Sequence, residues 1–96
     1  MEKITASSGN VFADLGFADE EAANLQLRSR LMTELKSVIE QSGMTQVQAA
    51  GVLGVHQSRI SDLVRGRIDR FSADILVNLL ARIGFQVSVQ VEKKAA

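Results

Sequence analysis

The stretch that decides the fold is QVQAAGVLGVHQSRISDLVR, residues 46–65. Just before it, Thr45 and Gln48 have the T-x-x-Q spacing of a capping box, which predicts a short helix that ends before Gly54. A second short helix is expected from about Gln57 to Arg65, and a glycine follows it, as is common where helices end. Two short helices joined by a tight turn therefore form the centre of the predicted fold.

Five positions in this stretch have the spacing of a helix-turn-helix motif. The motif needs a small residue where the helices cross, a turn residue that tolerates positive φ, and apolar residues that hold the second helix on the first. These needs are met in order by Ala50, Gly54 and the set Val55, Ile60 and Leu63. The stretch resembles the helix-turn-helix of the lambda-repressor and Cro-like family, also called the XRE type. An ordinary helical hairpin is the plainer alternative, since Ala, Gly and Leu are common residues.

The polar side chains of the second helix suit the major groove of DNA. A recognition helix enters the groove with its N-terminal end foremost, so its first turns reach the base edges. Gln pairs with adenine, and Asp accepts a hydrogen bond from the cytosine amine. The family resemblance puts Gln57, Ser58 and Asp62 at base-reading positions and Gln46 at a phosphate contact. The predicted DNA-binding residues are Gln46, His56, Gln57, Ser58, Arg59, Ser61, Asp62, Arg65 and Arg67.

His56 and the arginines of this region could contact DNA or could have a role within the protein alone. His56 stands where the second helix begins, and Ser, Thr, Asn or Asp would be the preferred cap there. We expect His56 to be a weak cap or a DNA contact. Four arginines and no lysine lie between residues 59 and 70. They favour forked contacts to phosphate over the alternative of a merely solvated face.

Apolar spacing predicts one long helix before the motif and another helix after it. Asp19 is expected to cap the first, which runs to Ser42 with Gly43 as its left-handed stop. Its apolar stripe consists of Leu27, Leu31, Leu35, Val38 and Ile39. Ser72 is expected to cap the later helix, which Gly84 ends. Its inward residues are Ile75, Leu76, Leu79, Leu80 and Ile83.

The C-terminal residues change to a two-residue period, which is typical of a strand. Phe85, Val87, Val89 and Val91 alternate with polar residues, but the rest of the chain has no second alternating segment. We therefore expect this strand to pair with its own copy about a two-fold axis, burying Val87, Val89 and Val91. The alternative is a strand that packs on its own helices or pairs with the N-terminal residues.

Residues 1–18 show neither the period of about 3.6 residues of a helix nor the two-residue period of a strand, and they are predicted to be a flexible arm. The arm nevertheless holds Val11, Phe12, Leu15 and Phe17, which must either fold back on the core or bind a partner. Charge is divided between the two regions, although 11 basic and 11 acidic residues give a net charge of zero. One lysine and five acids give residues 1–24 a net charge of −4, whereas four arginines and two acids give residues 44–71 a net charge of +2.

The whole layout resembles the HigA-like antitoxins of bacterial type II toxin–antitoxin operons, with GNVFADLGF in the arm as its specific part. The resemblance implies that the protein neutralises a small RelE/HigB-like ribonuclease toxin and represses its own operon. A basic toxin would suit the acidic arm, with Val11, Phe12, Leu15 and Phe17 as its apolar anchors. A stand-alone XRE-type or phage-type regulator without a toxin is the alternative.

The amino-acid composition excludes several classes of protein function. The chain has 96 residues, 46% of them hydrophobic, with no proline, no cysteine and one histidine. We expect one helical domain with no metal or other cofactor, no enzymatic activity, no membrane segment and a cytoplasmic location. The predicted architecture is an all-α lambda-repressor-like bundle of four to five helices with one C-terminal β-strand paired across a homodimer. Its parts are an arm at 1–18, the DNA-binding domain at 19–84, and a dimerisation strand and tail at 85–96.

Overall fold

The computed structural model describes residues 10–94, and in that range the chain forms five α-helices and one 3-10 turn. The predicted helical bundle around a helix-turn-helix is thus confirmed. The helices are α1 (Val11–Asp14), α2 (Asp19–Ser42), α3 (Gln46–Leu53), α4 (Gln57–Val64) and α5 (Ala73–Arg82), and the 3-10 turn is Ile68–Arg70.

One hydrophobic core joins α2 to α5 and is closed by the two helices of the motif, α3 and α4. Each α-helix from α2 to α5 contributes at least one large side chain that is fully buried, and Phe71, between the 3-10 turn and α5, contributes another. These side chains are Leu35, Leu53, Ile60, Leu63, Phe71 and Leu76. Truncation of a buried leucine to alanine typically costs about 2–5 kcal/mol. The apolar face of α4 is therefore committed to the core, which leaves its opposite face for contacts outside the chain.

The ends of α3 agree with the prediction. The Thr45 hydroxyl accepts a hydrogen bond from the Gln48 amide at 3.1 Å, and the Gln48 side chain accepts one from the Thr45 amide at 2.9 Å. This reciprocal pair is the capping box that the spacing predicts. Gly54 then ends the helix with a φ of 68°, the left-handed conformation that the turn of the motif requires.

The start of α2 differs from the prediction. Asp19 is the first helical residue and not the cap; the capping position holds Ala18, whose side chain makes no capping hydrogen bond. Asp19, Glu20 and Glu21 instead place three acids in the first turn, where the helix dipole favours negative charge. The helix ends at Ser42 with Gly43 at a φ of 77°, as predicted.

The arm contains a helix that the sequence pattern does not predict. Asn10 caps α1, because its side-chain oxygen accepts hydrogen bonds from the amides of Phe12 and Ala13. Its side-chain nitrogen donates to the Ala22 carbonyl in α2 at 3.0 Å, and the rings of Phe12 and Phe17 meet edge to face with centroids 6.2 Å apart. From residue 10 on, the arm therefore folds back on α2. Residues 1–9 lie outside the described residues.

The cap of α5 is the predicted one, since the Ser72 hydroxyl accepts a hydrogen bond from the Ile75 amide at 3.3 Å. Residues 85–94 form neither helix nor strand within the chain. Val87 packs on the core, whereas Phe85, Val89 and Val91 are exposed. The strand expected here needs a second copy as its partner, so its pairing stays a prediction. None of the helices in the described range combines the length and apolarity that crossing a membrane requires.

Candidate nucleic-acid interface

The exposed face of α4 is the candidate interface. Ile60 and Leu63 lie in the core, and Gln57 and Ser58 are exposed at the start of the helix. The first turns of a recognition helix are those that reach base edges in the major groove. The two predicted base-reading residues of the first turn are thus both accessible from outside the chain, and Ser61 lies half-buried one turn later.

The start of α4 is fixed by His56. Its Nδ1 accepts a hydrogen bond from the Ser58 amide at 3.1 Å and lies 3.0 Å from the Ser58 hydroxyl. His56 is therefore a true side-chain cap, in the role that Ser, Thr, Asn or Asp usually fills. An imidazole that accepts at Nδ1 carries its proton on Nε2 when neutral, so the exposed edge of the ring can donate a hydrogen bond outward.

Three of the predicted contact residues carry side chains that are free to bind outside the chain. Gln46, Gln57 and Arg65 are exposed, and within residues 10–94 none of them forms a side-chain hydrogen bond or ion pair. Gln46 is the first residue of α3, where amides without intrahelical acceptors and the helix dipole attract anions. Gln46 and Arg65 therefore suit phosphate contacts, and Gln57 suits a base contact.

Asp62 is engaged with two arginines. Its carboxylate lies 3.9 Å from Arg67 Nε and 3.7 Å from a terminal guanidinium nitrogen of Arg70. The Asp62 side chain is 18% exposed, compared with 45% for Arg67 and 52% for Arg70. Arg70 also reaches Asp69 at 4.0 Å. The predicted base reader and one predicted phosphate contact are thus paired with each other.

Arg59 is held within the fold. Its guanidinium donates to the Arg70 carbonyl at 3.0 Å and lies over the ring of the buried Phe71, 4.8 Å from the centroid. Both contacts join α4 to the segment before α5. The predicted DNA contact Arg59 therefore has a structural role in the described chain.

Two further arginines hold the bundle together and have no local signal in the sequence. Arg28 in α2 donates to the carbonyls of Ile68 and Phe71 at 3.3 and 3.5 Å, and Arg82 in α5 donates to the Leu53 carbonyl at 2.9 Å. Arg82 thereby satisfies a carbonyl at the end of α3, which a helix leaves without an internal partner. The partners lie about thirty to forty positions apart, which no short pattern reveals.

The four predicted toxin contacts in the arm fall into two groups that differ in exposure. Val11, Leu15 and Phe17 are exposed by 57%, 70% and 40%. Phe12 is half-buried and lines a cleft of about 300 Å³ between α2 and the end of α4, together with Met32, Leu63 and Ile68. Phe12 thus anchors α1, and the other three form an exposed apolar surface.

The C-terminal segment lies beside a second apolar surface. Val87 is half-buried, and Val89 and Val91 are exposed by 83% and 88%. A cleft of about 650 Å³ next to this segment is lined in part by Leu27 of α2 and Val77 of α5, which are also exposed. Exposed apolar side chains therefore come from three parts of the chain that meet here.

The sequence model of a family described as a helix-turn-helix domain matches residues 11–92. The matched range begins at α1 and continues through the motif into the C-terminal segment, so it covers most of the chain. No curated protein matches the sequence.

Proposed function

We propose that this protein is a dimeric repressor that reads its operator with α4. The chain belongs to the helix-turn-helix domain family, which makes it a DNA-binding regulator. The observation that carries the proposal is the division of α4 into two faces. Ile60 and Leu63 fix the helix to the core, and Gln57 and Ser58 stand exposed at its first turn. The proposed action is binding alone, in the cytoplasm, without catalysis or a cofactor.

Substitution on α4 tests this proposal. Gln57→Ala should weaken binding to an operator selected from random duplexes by about 1–3 kcal/mol and relax preference at one base pair. Arg65→Ala should weaken binding to all sequences about equally, because a phosphate contact carries no sequence information. Gln41→Ala, on the exposed surface of α2, is the matched control. Equal behaviour of Gln57→Ala and Gln41→Ala would show that α4 is not the reading helix.

A homodimer is the second part of the proposal. Its support is the exposed Val89, which lines a cleft together with the exposed Leu27 and Val77, and the exposed Val91 two residues further along the chain. Pairing of the C-terminal segments about a two-fold axis would cover these side chains and place two copies of α4 about 34 Å apart for an inverted repeat. Val89→Asp should give monomers in sedimentation, and Val47→Asp, at an exposed valine of α3, should not. A dimeric mass for Val89→Asp would contradict the proposal.

An antitoxin role is the third part. Its support is the exposed apolar surface of Val11, Leu15 and Phe17, with the exposed acids Glu20 and Glu21 in the next helix. Apolar anchors within an acidic field suit a small basic protein such as a RelE/HigB-like ribonuclease toxin. On this proposal the complex of the two proteins represses its own operon.

Co-expression with the adjacent open reading frame of the operon tests the antitoxin role. Purification of the wild type should bring down a small basic protein, and Leu15→Ser together with Phe17→Ser should release it while operator binding persists. Val52→Ser, at an exposed valine of α3, is the control. Absence of any partner would favour the alternative of a stand-alone regulator. That alternative has its own support, because Asn10 and Phe12 contact α2 and so pack part of the arm on the chain's own fold.

A further inference from the structure

Asp62 is the only acidic residue of α4, and its position beside two arginines has a consequence for DNA binding. Arg67 and Arg70 are the basic residues that follow Arg65 in the sequence. Together the Asp62 carboxylate and the two guanidinium groups carry a net charge of +1. Asp62 thus offsets one of the two positive charges that the pair would present to a phosphate backbone, and the more exposed Asp69 lies 4.0 Å from Arg70 Nε.

The backbone places the two arginines beside Asp62. Gly66 has a φ of 74° and turns the chain after α4, and the Arg67 amide then donates to the Asp62 carbonyl at 3.0 Å. The Arg70 amide donates to the Arg67 carbonyl at 3.0 Å, and the Arg70 carbonyl accepts from Arg59. Because the backbone of the segment is held at both ends, both arginines begin beside the Asp62 carboxylate and no further backbone ordering is needed to form these ion pairs.

We propose that Asp62 is a positioning residue that withholds Arg67 and Arg70 from DNA phosphates and so lowers affinity for DNA of arbitrary sequence. The proposal rests on the proposed function, since it concerns the same interface. Each arginine that moves to a phosphate gives up its ion pair with Asp62, and when both move, the carboxylate, only 18% exposed, is left unpaired near a negatively charged backbone. The exchange is favourable only where base contacts by the first turn of α4 hold the helix in the groove. Specificity is thus gained by weakening the contacts that carry no sequence information.

Salt-dependent binding to a random duplex tests the proposal. Asp62→Asn should raise affinity on the order of fivefold, the equivalent of one released surface ion pair. It should also steepen the salt dependence, by about 0.9 in slope for each additional phosphate contact. Asp62→Glu restores the carboxylate and should return both quantities toward the wild type. Glu40→Gln is the matched control, because it makes the same change of charge at an exposed side chain of α2 that forms no ion pair within the described chain.

Two results would overturn the proposal. Equal effects of Asp62→Asn and Glu40→Gln would mean that net charge alone sets the affinity. If Asp62→Asn lost sequence preference at one base pair of the selected operator and bound random DNA as the wild type does, Asp62 would be a base-reading residue. Failure of the proposed function has a different signature, because the wild type and every variant would then leave all duplexes unbound.

A second set of variants leaves Asp62 in place. In the wild type Arg65 is unpaired within the described chain, whereas Arg67 and Arg70 are paired. Arg65→Gln should therefore weaken binding to random DNA more than Arg67→Gln or Arg70→Gln does. Equal losses for the three substitutions would refute the proposal even if Asp62→Asn failed to fold. Circular dichroism melting of each variant shows which of them are folded.

Discussion

Replacement of Arg59 by glutamine should destabilise the fold more than it weakens DNA binding. Arg59 donates to the Arg70 carbonyl at 3.0 Å and stacks on Phe71 at 4.8 Å. Each contact is worth about 1 kcal/mol for a partly exposed guanidinium, by the usual values for charged hydrogen bonds and cation–π pairs. Arg59→Gln should therefore lower the free energy of unfolding by about 1–2 kcal/mol. In a domain of this size, that corresponds to a fall in Tm of about 4–15 °C.

Urea denaturation followed by circular dichroism measures this loss. Arg65→Gln is the matched control, since it makes the same change of charge at a side chain without partners in the described chain, and should change stability by about 0.5 kcal/mol or less. On DNA the order should reverse, with Arg65→Gln the more damaging of the two. Equal stability of the two variants would refute the structural role of Arg59, and a larger DNA defect for Arg59→Gln would return it to the interface.

Three further predictions concern the ends of the helices. His56→Ala should cost about 1 kcal/mol in chemical denaturation through loss of the α4 cap, whereas His56→Asn, which retains a capping acceptor, should cost a few tenths. Gly54→Ala should lower the free energy of unfolding by roughly 1–2 kcal/mol in the same assay, because alanine is strained at a φ of 68°. Lack of space is not the cause, since the added methyl group would lie 3.8 Å from the nearest atom, in Arg82. The hydrogen bond from the Ser72 hydroxyl, followed by those from backbone amides, lowers the pKa of Asp74 below 3.8. The stability that Asp74 contributes is thus present above pH 3.8 and lost as the pH falls through its lowered folded-state pKa. Asp74→Asn should flatten thermal melting against pH in that acidic window, and an unchanged profile would exclude this contribution.

The ends of α2 and α3 and the starts of α3 and α5 could be predicted because short-range chemistry sets them. Thr45 with Gln48 and Ser72 with Ile75 are cap pairs three residues apart, and Gly43 and Gly54 adopt the left-handed conformation that glycine favours. Each signal lies within one turn of the boundary that it determines. A cap can therefore be recognised without knowledge of the tertiary structure.

The missed features depend on contacts between distant residues. Helix α1 has four residues, too few to show a period, and it is held by the bond from Asn10 to Ala22 and by the Phe12 ring. The sequence predicts DNA contacts for Arg59 and Asp62 from their place on α4. Their partners come from the segment after the helix, and the sequence alone does not show that this segment turns back on α4.

The local caps also bear on how the chain reaches its fold. Each of α3, α4 and α5 begins at a side chain that accepts a hydrogen bond from an amide two or three residues later. These helix starts need no distant partner, so they can form while the rest of the chain is still disordered. Chains dominated by such near-neighbour contacts have low contact order and refold in microseconds to milliseconds. The sequence contains no proline, so slow isomerisation of prolyl bonds does not delay it. Refolding of this protein should accordingly be fast and follow a single exponential.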